Sequence, residues 1–201
     1  MSLLVALTVF ALIFPSELPD KTFVATLVLS TRFAPWPVFT GVAAAFAVQT
    51  SVAVVTGGLV SLLPERPVHA VTAALFALGA ILMLRSGSEA AEEEREVTEE
   101  LADAPRTASF RRAALTSFGV LFAAEWGDLS QVLTASFAAK YGDTLAVFVG
   151  ALLALWVVAG LAIIGGRALL RVVPLEWVRR AAAVAFGVIA VVTALEAAGV
   201  F

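Results

Sequence analysis

The sequence predicts an all-α polytopic membrane protein. It has six transmembrane helices set out as two inverted-topology three-helix repeats, the first helix of each repeat broken or kinked. Three observations carry this. Hydrophobic residues make up 61% of the 201 positions, against roughly 45–50% in an ordinary soluble domain. Windows of about 20 residues, the length needed to cross a bilayer, resolve six apolar stretches. One acidic motif interrupts two of those stretches in nearly the same words.

The stretches fall near residues 3–30, 37–63, 68–84, 113–139, 144–173 and 177–200. The first is too long for a straight crossing and suits a broken or tilted helix. Residues 3–14 resemble the apolar region of a signal peptide but lack a positive flank, and no cleavage is expected. The fourth stretch repeats the first. Ser16-Glu17-Leu18-Pro19-Asp20-Lys21-Thr22 returns 108 residues later as Ala124-Glu125-Trp126-Gly127-Asp128-Leu129-Ser130-Gln131. The second and fifth stretches share Phe39-x-Gly41 and Phe148-x-Gly150, then Gly57-Gly58 and Gly165-Gly166, at offsets of 108 or 109. Leu63-Pro64 and Val173-Pro174 follow at 110. Landmarks in one order divide the chain into a first unit at 1–85, an acidic linker at 86–105 and a second unit at 106–201.

An odd number of spans per unit makes the second unit enter the bilayer upside down, the inverted-repeat plan of many secondary transporters. Charge agrees with that plan. Ten arginines, from Arg32 to Arg180, follow spans one, three and five, whereas the opposite side holds Arg66 and Lys140. The positive-inside rule then makes the linker cytoplasmic and puts both termini outside. Trp36 and Trp177 are expected at the membrane interfaces, and His69 in an interfacial connection. With no cysteine in the chain, disulfides and thiolate ligands are excluded. No cofactor and no nucleic-acid partner are expected; a lipid bilayer is, and a homodimer is compatible with the plan. The high ratio of arginine to lysine, eleven to two, suggests a prokaryotic inner membrane.

Ionisable groups inside a membrane span mark a functional site by default, because hydrocarbon tolerates them only when paired, protonated or ion-bound. Glu17 and Asp20, like Glu125 and Asp128, stand three apart, a spacing that puts both acids on one face of a helix. Pro19 and Gly127 between them weaken the helix, and Pro15 releases the carbonyl of Ala11, so free carbonyls are expected as further ligands. Thr22, Ser130 and Gln131 add oxygens nearby, and Gln49 is a more distant candidate. Oxygen-only donors suit a hard divalent cation such as calcium or manganese. Four clustered carboxylates cannot all stay ionised while empty, since desolvation and repulsion favour the protonated form. Protons and metal should therefore alternate in the site. Lys21 could offset one charge, compete with the metal or snorkel to the interface.

Paired in this way, the motifs resemble those of the GDT-type Ca²⁺/Mn²⁺:H⁺ exchanger family, marked by two Glu-x-Gly-Asp-(Lys/Arg)-(Ser/Thr) sequences, to which the human Golgi manganese/calcium transporter belongs. The likeness covers essentially the whole chain. It implies manganese, or else calcium, exchanged for protons, with Glu17, Asp20, Glu125 and Asp128 as metal ligands. Pro19 stands where the family has glycine, and Leu129 where it has a basic residue. Two other readings of the same acids are a small cationic amino-acid exporter and an intramembrane aspartyl protease.

Overall fold

A computed structural model describes residues 2–18, 21–85, 108–172 and 175–200. Those residues form eight helices: α1 (Leu3–Glu17), α2 (Lys21–Arg32), α3 (Pro35–Val60), α4 (Glu65–Arg85), α5 (Phe110–Ala124), α6 (Leu129–Tyr141), α7 (Thr144–Val172) and α8 (Leu175–Ala198). The acidic linker lies outside the described residues.

Local chemistry sets the boundaries. Ser2 caps α1 by accepting the amide of Val5, and Ser109 caps α5 by accepting that of Arg112. Pro35 and Pro37 occupy the first turn of α3, where their missing amides would have no helical partner. Asp143 starts α7: its Oδ1 accepts the amide of Ala146, and its Oδ2 that of Ser2, which ties the start of α1 to α7. These amide bonds, led by the one from Ser2, hold its carboxyl below the ordinary aspartate range.

The first expected span is divided, as α1 and α2, whose axes differ by 68°. The fourth is divided as α5 and α6, 15 and 13 residues long. Pro35–Val60, Thr144–Gly165 and Arg180–Ala198 are long and apolar enough to cross a membrane, as is the bent pair α1–α2 taken together, and Arg66–Leu82 is a shorter apolar helix. Many large apolar side chains face outward, among them Leu4, Leu62, Ile164 and Val184. Such a surface suits lipid and would be a liability in water. Trp36 and Trp177 are exposed near helix starts, as expected of interface residues.

The packing is crossed rather than side by side. α3 lies against α5, α6 and α7, while α7 lies against α1, α2 and α3. Each divided span therefore leans on the long helix from the other half of the sequence. α4 and α8 pair with each other and close the bundle. Phe76, Phe137 and Phe186 knit α4, α6 and α8 together, with ring centroids 4.7 and 6.1 Å apart. Lys140 of α6 adds a polar tie to α8 through Glu196 and Thr193. His69, expected as a plain interfacial residue, also reaches this corner, 4.0 Å from Glu196.

Two repeated glycines explain how the crossing fits. A Cβ on Gly41 would overlap the carbonyl oxygen of Ala114 in α5, and a Cβ on Gly150 would overlap that of Ala6 in α1. Ala6 and Ala114 are themselves 108 apart in the chain. The same backbone-to-backbone approach thus occurs twice, at matching positions, and only a residue without a side chain permits it. The Gly57-Gly58 pair is less symmetric. Gly57 abuts the backbone of Ala135, but among the described residues nothing lies within 4 Å of a Cβ at Gly165.

Backbone cannot yield as a flexible side chain does. Gly150→Val should therefore destabilise the fold by at least about 1–3 kcal/mol, read as a lower Tm in detergent. Gly160→Ala, where a Cβ meets nothing within 4 Å among the described residues, should leave Tm unchanged or slightly higher.

Candidate functional site

Both acidic motifs sit where a helix stops. α1 runs through Pro15 without a break and ends at Glu17, the most deeply buried acid described, with 1% of its surface exposed. Pro15, inside the helix, has no amide to give the carbonyl of Ala11, as expected. Ser16 turns back on its own helix, donating to the carbonyl of Ile13 at 2.7 Å. Pro19 and Asp20 lie outside the described residues, as does the side chain of Lys21. Thr22 and Thr26 follow on α2, fully buried, and their hydroxyls have no hydrogen-bond partner among the described residues.

The second motif shows the break in detail. α5 ends at Ala124, and Glu125 follows as its cap, 4% exposed, with φ −96° and ψ 0°. Gly127 then takes φ +80°, a left-handed conformation that side chains disfavour. Asp128 begins the next helix as its N-cap, accepting the Ser130 amide at 3.4 Å and the Ser130 hydroxyl at 3.5 Å. The expectation that Glu125 and Asp128 share one helical face is thus corrected. The chain turns between them, and they belong to the end of one helix and the start of another.

The carbonyls at this break are less available than expected. Gln49 of α3 donates its amide to Phe122 O at 3.1 Å, and the Trp126 amide takes Ala123 O at 3.4 Å. Gln131 reaches back across the turn, its Oε1 accepting the Gly127 amide at 3.0 Å. Its Nε2 is buried with no hydrogen-bond partner among the described residues. Polar side chains of α3 and α6 therefore replace the water that a broken helix would otherwise require.

Beside Glu125 lies a cavity of about 20 Å³, walled by Gln49, Thr50, Ser130, Gln131 and Thr134, with Phe46 and Leu155 behind them. That is room for one water-sized occupant, since a single water needs about 10–15 Å³ measured this way. Thr50 and Thr134 were not singled out from the sequence. The signal for Thr134 was present, because it follows Ser130 by one turn as Thr26 follows Thr22. Leu129, in the place of a basic residue, packs against the core beside Gly79 of α4.

α2 packs on α5, and α1 on α6, so each half of one divided span touches the opposite half of the other. Among the described residues no three His, Asp or Glu side chains gather as a metal cluster; the proposed ligand Asp20 is not one of those residues.

Comparison with known proteins is decisive at the level of family. The family described as "Divalent cation/proton antiporter GDT1" matches residues 5–91 and 113–200. The chain belongs to the GDT1 family. The two matched segments carry one motif each and leave out residues 92–112, which hold most of the linker. GDT1 proteins are transporters rather than enzymes, which removes the aspartyl protease reading. A GDT1-like protein of Synechocystis is 32% identical over 168 residues, covering 78% of this chain and 80% of its own length. GDT1-like protein 4 of Oryza sativa subsp. indica is 29% identical over 78% of this chain, and chloroplastic PAM71 of Arabidopsis thaliana is 30% identical over 93% of it. The matches span 60% and 55% of those two plant proteins. No solved structure matches the chain.

Asp128 has two separable properties, a cap and a charge. Asp128→Ala should lower stability by about 1 kcal/mol through loss of the N-cap, seen as a reduced Tm. Asp128→Asn, an equally good cap, should keep the wild-type Tm while removing the charge, so any loss of metal binding in that variant is electrostatic.

Proposed function

We propose that this chain is a six-span secondary transporter that exchanges a divalent cation for protons and exports the metal from the cytoplasm. Manganese is the first candidate and calcium the second. Its two inverted units are residues 1–85 and 106–201, joined by a cytoplasmic linker at 86–105, with both termini outside in a prokaryotic inner membrane. Glu17, Asp20, Glu125 and Asp128 hold the ion near the midplane, helped by Thr22, Ser130, Gln131 and Gln49.

The observation that carries this reading is the burial of Glu17 and Glu125 at helix breaks, in divided spans that pack across one another. A carboxylate so placed is tolerated only when paired, protonated or bound to a cation. Family membership supplies the reaction class, and the oxygen-only donors favour a hard ion. Exchange then follows from competition. Metal loading displaces protons from the acids, and proton loading displaces metal. If only loaded forms turn the site from one side to the other, neither ion crosses without the other.

The cavity also weighs against the main alternative substrate. At about 20 Å³ it suits a single dehydrated ion and is too small for the side chain of a cationic amino acid.

Purified protein in liposomes, with Mn²⁺ or Ca²⁺ outside and a pH-sensitive dye inside, tests this directly. Glu17→Gln and Asp128→Asn should each abolish metal-dependent proton movement, while a wild-type Tm shows that folding is intact. Undiminished movement in both variants would remove the proposed site.

A further inference from the structure

The two motifs are near copies, but the walls built around them are not. In α6 the residue after Ser130 is Gln131; at the same offset of 108, α2 has Phe23. The glycine landmarks Gly41 and Gly150 set an offset of 109 for the long helices. By that register, Gln49 and Thr50 of α3 correspond to Val158 and Ala159 of α7. Three of the five polar wall residues thus have apolar counterparts, Phe23 in the first unit and Val158 and Ala159 in the second, while Ser130 and Thr134 answer to Thr22 and Thr26.

The structure carries the difference through. Around Glu125 there is a polar cavity. Beside Glu17, in contrast, Leu18, Phe23, Val158 and Ala162 close into an apolar cluster of their own, apart from the main core, with Phe14 and Leu161 packed against it. Phe23, Val158 and Ala162 have no exposed surface. The flanking residues differ in the same sense: Leu18 is 7% exposed, whereas its counterpart Trp126 is 56% exposed. Among the described residues, one motif borders a polar space and the other an apolar cluster.

We propose that the two breaks have divided the work of one transport site. The Glu125 side is the vestibule, where an arriving cation trades water for the oxygens of Gln49, Thr50, Gln131 and Thr134. The Leu18–Phe23–Val158–Ala162 cluster is an apolar gate that keeps water, and hence protons, from passing Glu17 while the metal is absent. The inference rests on the antiport reading above. An exchanger needs such a barrier, because a continuous file of water would let protons cross without metal. A close-packed apolar constriction supplies it, since water does not fill a passage lined only by hydrocarbon. Inverted repeats place equivalent positions on opposite faces of the membrane, so a polar wall at one break and an apolar cluster at the other, each built from both units, make an open side and a sealed side. The sequence asymmetry makes the two sides chemically unequal in every conformation.

The test uses the full chain in liposomes, with internal pH recorded first without metal and then after adding Mn²⁺. Phe23→Gln, which installs the second-half residue, should speed the metal-free collapse of an imposed pH gradient on the order of tenfold. Val158→Thr, nearly the same in volume, should act in the same direction more weakly, and Phe23→Leu should stay tight. Gln131→Leu should also stay tight, yet lose about tenfold or more of Mn²⁺-driven exchange. Metal-free gradients as stable in Phe23→Gln and Val158→Thr as in wild type would overturn the gate, and leakage in Gln131→Leu equal to that of Phe23→Gln would overturn the division of labour. A wild-type protein without Mn²⁺- or Ca²⁺-driven exchange would instead overturn the antiport reading, and this inference with it.

Discussion

A helix that stops inside an apolar bundle exposes backbone amides and carbonyls where no bulk water can reach them. Everything distinctive in this protein depends on how that constraint is met. At the second motif, Gly127 makes the turn, Gln131 and Asp128 accept amides beyond it, and Gln49 donates to a carbonyl before it. Once the backbone is satisfied by side chains, the carboxylate of Glu125 is held at a fixed edge of a small polar space. The break therefore serves to position a charge as much as to bend a span.

That arrangement needs a rigid frame, and the crossed packing supplies it. α3 and α7 each approach the opposite divided span at a glycine, so backbones meet where side chains would separate them. Motif and landmark glycine belong to one device: the glycine brings the first helix of one unit against the long helix of the other, and the acid ends that helix. A tandem copy of the device needs no further invention to bring the two divided spans into contact. Divergence of the walls, with Phe23 the counterpart of Gln131 and Val158 that of Gln49, makes the two breaks unlike without disturbing the frame.

Much of this was legible in the residues alone. The two helix breaks, their acids and the glycine landmarks follow from polar groups and small residues interrupting apolar runs, which few other folds would tolerate. The details at the break were not legible. A spacing of three reads as one helical face, and nothing local says that Gly127 will turn the chain and make Asp128 a cap. The role of Gln49 was hidden for a different reason: its partner, Phe122 O, is a backbone atom 73 residues away, and sequence pattern does not encode such contacts. The apolar cluster beside Glu17 was invisible for the same cause. Phe23 and Val158 look like ordinary span residues until their repeat partners are seen to be glutamines.

The central claim is that both breaks serve a single ion. Equilibrium Mn²⁺ binding to purified protein, with proton release recorded in the same titration, tests it most directly. One Mn²⁺ per chain, lost entirely in Glu17→Gln and again in Glu125→Gln, with protons expelled as the metal enters, is the predicted result. Two sites per chain, each disappearing only with its own motif, would contradict it.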